Sequence, residues 1–160
     1  MRILITGGAG NIGGSLSRNL VKRSDCFIDI IDDLSTGSEN KLPDTNLSNW
    51  KFFNIDVNDY ENIIKGIGER DYDFIFHYAA VVGVNRTLQN PKLVLNDIEG
   101  IKNILEFSKQ KKVNRVFFSS SSEVYGEPVE IPQKESTTPL NSKLPYAVVK
   151  NLAESYFRTY

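Results

Sequence analysis

Short apolar runs alternate along the chain with segments whose apolar residues recur every three or four positions. The runs predict five buried β-strands, at residues 3–5, 27–31, 51–55, 74–76 and 115–118. The periodic segments predict helices that begin near Asn11, after Asn58–Asp59 and at about Pro91, and a last helix that contains Tyr146 and Lys150. This alternation predicts an α/β fold with right-handed crossovers and a doubly wound parallel sheet in the order 3-2-1-4-5.

The spacing of apolar residues also predicts which helix faces pack against the sheet. The predicted faces are Ile12, Leu16 and Leu20 in the first helix, Tyr60, Ile63, Ile64 and Ile67 in the second, and Val94, Ile98, Ile101 and Leu105 in the long one. Residues 34–49 and 81–90 show no strong periodicity. They are therefore predicted to be loops.

The most informative stretch is the glycine-rich turn after the first predicted strand. Gly8, Gly10 and Gly13 satisfy the pattern G-x-G-x-x-G, and Gly7, Gly10 and Gly13 are evenly spaced. Glycines allow the backbone to approach a pyrophosphate, and the helix that follows offers unpaired N–H groups and the positive end of its dipole. The pattern predicts a dinucleotide-binding turn at Gly7, Gly10, Asn11, Ile12 and Gly13.

Asp32 ends the second predicted strand, at about the distance from the turn where an acidic residue meets the adenosine ribose. A carboxylate at this point accepts hydrogen bonds from both ribose hydroxyls and repels a 2′-phosphate. No Arg or Lys lies between Asp32 and Lys41 to bind such a phosphate. The cofactor is therefore predicted to be NAD rather than NADP. The alternative is that Asp32 and Asp33 only open a solvated turn.

Composition places few further limits on function. The chain has 160 residues, a net charge of -1, 40% hydrophobic and 24% charged residues, which is typical of one soluble globular domain. No charged patch indicates a nucleic-acid or membrane partner, no apolar run could span a bilayer, and no metal-binding cluster is predicted. The single Cys26 excludes an internal disulfide. With no signal peptide visible, we predict a cytoplasmic protein.

Tyr146 and Lys150 are four positions apart, so both side chains lie on one face of the last predicted helix. A phenol has a pKa of about 10, so its use as a base near pH 7 requires a preference of roughly 4 kcal/mol for the phenolate. Positive charge from Lys150 and from an oxidised nicotinamide would supply that preference. Ser121, at the open end of the fifth strand, is placed to hydrogen-bond the same substrate hydroxyl. The alternative is an ordinary surface pair.

The fourth predicted strand leads to the only histidine, His77, and then to small residues. Ala79 and Ala80 leave room for a cofactor across the strand ends, where open α/β sheets bind ligands. A histidine at a strand end more often bonds to neighbouring backbone groups than serves as a general base. We therefore predict a structural role for His77.

Taken together, these segments resemble the extended short-chain dehydrogenases/reductases, the NAD-dependent nucleotide-sugar epimerase/dehydratase family with a Rossmann sheet. The matching segments are residues 6–13, 32–37, 56–57, 77–80, 119–126 and 146–150. The resemblance implies that Ser121, Tyr146 and Lys150 are catalytic and that Lys150 also holds the nicotinamide ribose. It also implies Asp56 and Val57 at the adenine, and transient oxidation of a sugar 4-hydroxyl to a ketone.

Residues after the fifth strand bear on the branch of the family. Dehydratases resemble this segment but carry an Asp-Glu pair, whereas this chain has Ser122 and Glu123. Dehydration is therefore disfavoured, and both UDP-glucose 4-epimerases and UDP-glucuronate decarboxylases fit. Glu123 is either a second acid/base or a polar residue at a loop start. Asp97 and Val149 depart from the family pattern and weaken any finer assignment.

The length of the chain carries a further expectation. The family completes its sugar-nucleotide site with a C-terminal lobe, and residues 1–160 stop within the helix that bears Tyr146. We therefore expect one NAD-binding domain that lacks this lobe. A UDP-sugar 4-epimerase is the favoured function, and a non-catalytic NAD-binding module is the alternative. Apolar Leu152, Tyr156 and Phe157 suit either a homodimer face or the missing lobe.

Overall fold

A computed structural model describes residues 1–160 and confirms the predicted alternation of strands and helices. The strands are β1 (Arg2–Thr6), β2 (Phe27–Asp32), β3 (Trp50–Asn54), β4 (Phe74–His77) and β5 (Arg115–Phe118). The helices are α1 (Asn11–Leu20), α2 (Tyr60–Ile67), α3 (Val84–Gln89), α4 (Pro91–Gln110) and α5 (Pro145–Thr159). The five strands are parallel in the predicted order β3-β2-β1-β4-β5.

The chain divides into two compact units. The first consists of Met1–Ala80 and Glu99–Ser119 and contains the whole sheet with α1 and α2. The second consists of Val81–Ile98 and Ser120–Tyr160 and contains α3 and α5. Helix α4 contributes to both units. None of the helices is both long enough and apolar enough to cross a membrane.

The sheet of the first unit is covered on both faces, as the alternation predicted. Along β1, Leu4 belongs to one apolar cluster and Ile3 and Ile5 belong to another, because successive side chains of a strand point to opposite faces. The cluster around Leu4 takes its helical residues from α2 and α4, while α1 packs against the other cluster. Asp59 caps α2, with its carboxylate accepting a bond from the Asn62 N–H at 3.0 Å.

The predicted packing faces of two helices are wrong at one residue each. Ile12 is 67% exposed, because the residues of α1 that are buried are the small Gly13, Gly14 and Ser17. A helix that approaches its neighbours so closely has no room for a branched side chain on that face. In α2, Ile64 is 40% exposed, and the buried residues are Ile63 and Ile67.

The prediction of a loop over residues 81–90 is also wrong, because this segment contains α3. Its apolar residues Val84 and Leu88 stand four apart, yet both are largely exposed. A six-residue helix presents too few apolar positions for the periodicity to be recognised.

One charged side chain lies fully buried within the sheet. Asp29 is on β2 and accepts hydrogen bonds at one carboxylate oxygen from the Arg2 guanidinium at 3.0 Å and from the Tyr72 hydroxyl at 2.9 Å. The Arg70 guanidinium lies 3.4 Å from the same oxygen. Buried charges persist when paired in this way. Burial and the neighbouring carboxylate both raise the pKa of Tyr72, so its hydroxyl remains a donor.

Candidate functional site

The glycine turn has the tight geometry that the sequence predicted. Gly7 has a φ of +67°, a conformation that favours glycine, and a Cβ on it would lie 2.6 Å from the Ala79 nitrogen. A Cβ on Gly13 would lie 2.4 Å from the Gly7 carbonyl oxygen. The first hydrogen bond of α1 runs from the Gly14 N–H to the Gly10 carbonyl. The N–H groups of Asn11, Ile12 and Gly13 therefore have no acceptor within the helix. This arrangement fits a dinucleotide pyrophosphate.

Asp32 links the glycine turn to the segment that follows β2. Its carboxylate accepts one hydrogen bond from the Ala9 N–H at 2.9 Å and another from the Leu34 N–H at 2.8 Å. The side chain therefore does open a turn, as the alternative interpretation held. Each carboxylate oxygen retains a further lone pair, so these bonds leave capacity for ribose hydroxyls. Contact with ribose stays a prediction.

His77 has the structural role that was predicted, but its partner is a side chain. Its Nδ1 lies 2.7 Å from the hydroxyl of Thr6, and both residues are buried. The same hydroxyl accepts bonds from the N–H groups of Tyr78 and Ala79, each at 3.1 Å. Because these bonds use both lone pairs, the Thr6 hydroxyl donates to Nδ1, which puts the imidazole proton on Nε2. Thr6 thereby holds the turn after β4 beside the glycine turn.

Other predicted cofactor residues lie at strand ends of the first unit. Asp56 follows β3 and is exposed, with its carboxylate accepting a bond from the Asn58 N–H at 2.9 Å. Val57 is buried in the apolar cluster around Leu4, and Ala79 and Ala80 are partly buried. Their contacts with adenine and cofactor stay predictions.

The second unit brings the three predicted catalytic side chains together. The Ser121 hydroxyl, as a hydrogen-bonding group, opposes the rise that burial causes in the pKa of the Tyr146 phenol. It also accepts the Glu123 N–H at 3.2 Å, which caps a 3-10 turn at Ser122–Tyr125. The Lys150 Nζ lies 5.6 Å from the centroid of the Tyr146 ring. Helix α5 begins with proline at its first position, a preferred start that places Tyr146 in its first turn.

The electrostatics around Tyr146 raise its pKa above the usual value. Burial is the largest cause, and the carboxylates of Glu123 and Asp97 add to it, while the hydrogen bond from Ser121 opposes it. Desolvation acts in this direction because burial disfavours the charged phenolate. Positive charge brought next to the phenol would lower its pKa and make it a base. The Glu123 carboxylate therefore acts against the phenolate, and its own acid/base role stays a prediction.

Lys150 is buried deeply enough to titrate close to neutral pH. The residue is 4% exposed, and burial lowers its pKa to about 8, although the Asp97 carboxylate acts in the opposite direction. Its ammonium group is therefore still mainly charged at pH 7, beside the Tyr146 ring. A buried lysine with such a pKa is typical of functional sites.

The burial of Lys150 predicts a pH-dependent stability difference between the wild type and Lys150→Met. Between about pH 8 and 10.5 the unfolded chain binds more protons at this lysine than the folded chain, so the lysine's unfavourable contribution diminishes as pH rises. The wild type should gain up to about 3 kcal/mol relative to the variant across that window, at about 1.4 kcal/mol per pKa unit. Urea unfolding of both proteins at matched pH measures this difference, and a flat difference would contradict it.

Asp97 lies in the candidate site, although the sequence analysis did not place it there. Its carboxylate accepts the Val81 N–H at 2.6 Å and also acts on the pKa values of Tyr146 and Lys150. In the sequence it stood out only as a departure from the family pattern. Its position three residues after the buried Val94 was the available signal that it faces inward.

Comparison with known proteins gives consistent results. A family model described as GDP-mannose 4,6 dehydratase matches residues 4–160. The chain is 34% identical to a putative UDP-glucose 4-epimerase of Methanocaldococcus jannaschii, covering 99% of this chain and 50% of that protein. It is 33% identical to the UDP-glucose 4-epimerase of Lactobacillus helveticus, covering 96% and 45%. A Thermus thermophilus UDP-glucose 4-epimerase in complex with NAD superposes with a TM-score of 0.89 at 32% identity, covering 100% and 50%. The chain thus spans about half the length of these proteins.

Proposed function

Because the chain belongs to the NAD-dependent epimerase/dehydratase family of short-chain dehydrogenases/reductases, we propose that it is the NAD-binding domain, residues 1–160, of a nucleotide-sugar 4-epimerase. The observation that carries this proposal is the position of the Lys150 Nζ, 5.6 Å from the centroid of the Tyr146 ring, with Ser121 acting on the pKa of the same phenol. The glycine turn of the first unit supports it, since its geometry fits a dinucleotide. The names of the relatives favour a UDP-sugar as substrate.

In the proposed reaction Tyr146 removes the proton from the sugar 4-hydroxyl, and Ser121 hydrogen-bonds the same oxygen. The Lys150 ammonium stabilises the phenolate through its positive charge. NAD, when bound, supplies the chemistry of hydride removal from carbon 4 and of its return. Tyr146 then gives the proton back to the oxygen as the ketone is reduced. The 4-epimer would form if the ketone presented its opposite face to the cofactor before Tyr146 returns the proton.

Product analysis tests this function in the protein expressed from its complete reading frame. Incubation with UDP-glucose should yield the 4-epimer, separated by chromatography. A decarboxylated product from UDP-glucuronate would instead support the decarboxylase branch, and a 4-keto-6-deoxy sugar would support the dehydratase that the family model names. NAD binding without turnover of any nucleotide sugar would support a non-catalytic binding module.

Asp32 is proposed to select NAD through its two ribose hydrogen bonds. Asp32→Ala should weaken NAD binding by at least about 10- to 100-fold, since even one hydrogen bond to a charged group contributes about 1.5–3 kcal/mol. Asp33→Ala is the matched control, because the exposed Asp33 accepts only a local bond from the Ser35 N–H. Isothermal titration with NAD and NADP measures both effects. Equal weakening for the two dinucleotides would indicate loss of turn structure alone and contradict the ribose contact.

Assembly and location are also part of the proposal. Leu152 is largely exposed on α5, and Tyr156 and Phe157 are partly exposed. This surface suits a homodimer or the remainder of a longer protein, and sedimentation of the complete protein distinguishes the two. We place the protein in the cytoplasm, where the buried Cys26 would stay reduced.

A further inference from the structure

Helix α5 carries an ionisable side chain, Glu154, on the same face as Tyr146 and Lys150. Glu154 follows Lys150 by four positions, so these three residues form one stripe along the helix. The carboxylate is about three-quarters buried, and the proposed chemistry gives it no role. A partly buried carboxylate is stabilised by a hydrogen-bonding partner.

That partner is the serine next to Ser121. The Ser120 hydroxyl donates to one oxygen of the Glu154 carboxylate at 2.5 Å, and the Arg158 guanidinium lies 3.4 Å from the other oxygen. Consecutive serines thus face the same helix: Ser120 bonds to Glu154, and Ser121 acts on the pKa of Tyr146 two turns earlier. The two contacts share one stretch of backbone.

The backbone that carries Ser121 lies outside the sheet. Strand β5 ends at Phe118, and the next regular element is the 3-10 turn at Ser122–Tyr125. The bond from the Glu123 N–H to Ser121 is local to that turn, so it cannot set the distance to α5. A hydroxyl contact weakens steeply once distance or angle departs from the narrow range of a hydrogen bond. The Ser120–Glu154 pair supplies a side-chain tie to α5 one residue away.

We propose that Ser120 and Glu154 are positioning residues that hold the Ser121 hydroxyl against the Tyr146 phenol. The inference rests on the proposed function, in which this contact prepares the phenol to act as a base. Loss of either partner frees residues 119–121 to move, which weakens the contact between Ser121 and Tyr146. The neighbouring ion pair with Arg158 is largely exposed on the arginine side and should contribute little.

The test uses the NAD-loaded protein from the complete reading frame, labelled with ¹³C at tyrosine Cζ. The Tyr146 signal is assigned by its loss in Tyr146→Phe, and its titration midpoint is then measured in Ser120→Ala, Glu154→Ala and the double variant. Each single substitution should raise the midpoint by about 0.5–1 pH unit, as expected for loss of most of one hydrogen bond to the phenolate. The double variant should show no larger shift, because both substitutions break the same tie.

Two further variants separate the hydrogen bond from charge and from general stability. Glu154→Gln also removes the charge but keeps an acceptor oxygen, so its midpoint should stay close to that of the wild type. Arg158→Ala keeps the Ser120–Glu154 pair and should leave the midpoint unchanged. In turnover assays below the midpoint, kcat should fall about 3- to 10-fold in the alanine variants with KM unchanged, because the shifted midpoint lowers the deprotonated fraction of Tyr146 by that factor.

The inference and the proposed function fail in different ways. Unchanged Tyr146 midpoints in Ser120→Ala and Glu154→Ala would overturn the positioning role, even in an active enzyme. The positioning role would also be overturned if the midpoint shift of the double variant equalled the sum of the shifts of Ser120→Ala and Glu154→Ala. Failure of the complete protein to turn over any nucleotide sugar would overturn the proposed function, while the titration would still decide whether Ser120 and Glu154 position Ser121.

Discussion

Tyr146→Phe is expected to lower kcat of the complete protein by about 100- to 10,000-fold, the usual contribution of a positioned general acid/base. The substitution removes only the phenolic oxygen, so the ring beneath the Lys150 ammonium is retained. Because the lost group acts on the reacting proton, KM for the nucleotide sugar and affinity for NAD should change little. Steady-state kinetics with UDP-glucose, together with NAD titration, measure these effects.

The matched control for this substitution is Tyr156→Phe, which removes a phenolic oxygen from the same helix, α5. It should leave kcat within about twofold of the wild type, because Tyr156 takes no part in the proposed chemistry and the variant keeps the ring that would pack against a partner or a further lobe. A Tyr146→Phe protein that retained a near wild-type rate would refute the role of Tyr146 as the base. A loss of similar size in both variants would indicate that α5 is disturbed as a whole.

Asp29→Ala is expected to lower the free energy of unfolding by about 2–4 kcal/mol, a large part of the stability of a small protein. The carboxylate is fully buried, and its removal leaves the Tyr72 hydroxyl without its acceptor. Arg2 and Arg70 keep partial access to water, which limits the cost of leaving them without the carboxylate. Urea unfolding monitored by circular dichroism measures the change.

Two variants make this stability prediction specific. Asp29→Asn keeps the size of the side chain and one acceptor oxygen, so its loss of stability should be smaller than that of Asp29→Ala. Asp25→Ala removes an exposed carboxylate that pairs with Arg23 at 2.9 Å, and it should change stability little. Equal losses for Asp29→Ala and Asp25→Ala would contradict the importance that we assign to burial.

Some parts of the candidate site could be predicted because their geometry is local. The glycine turn depends on backbone conformation over a few residues, and the Gly7 φ is a property that the residue type permits directly. Tyr146 and Lys150 lie on one face because of helix periodicity alone. Ser121 could be added because parallel strands direct their carboxyl ends to one edge, where ligands bind.

Other parts depend on contacts between segments that are distant in the sequence. Thr6 meets His77 only because β1 pairs with β4, and the sequence places these residues far apart. In the sequence, Asp29 is a charged residue that interrupts an apolar strand. Only the structure shows that the Tyr72 hydroxyl donates a hydrogen bond to it. Ile12 fits a helical stripe, yet α1 approaches its neighbours through glycines instead. The pattern of residues along the chain cannot predict these contacts, because it carries no information about which distant residue packs against a given side chain.

The sequence by itself determined the parallel α/β fold, its strand order and the tight glycine turn, and it named the residues on which the proposed chemistry rests. These follow from periodicity, glycine conformation and motif spacing, which act over short stretches of chain. Only the tertiary structure decided the hydrogen-bonded partners of His77, the effect of Asp97 on Lys150, and the pairing of Ser120 with Glu154. Hydrogen bonds and pKa values depend on distances of a few ångströms between side chains, and those distances are set by packing.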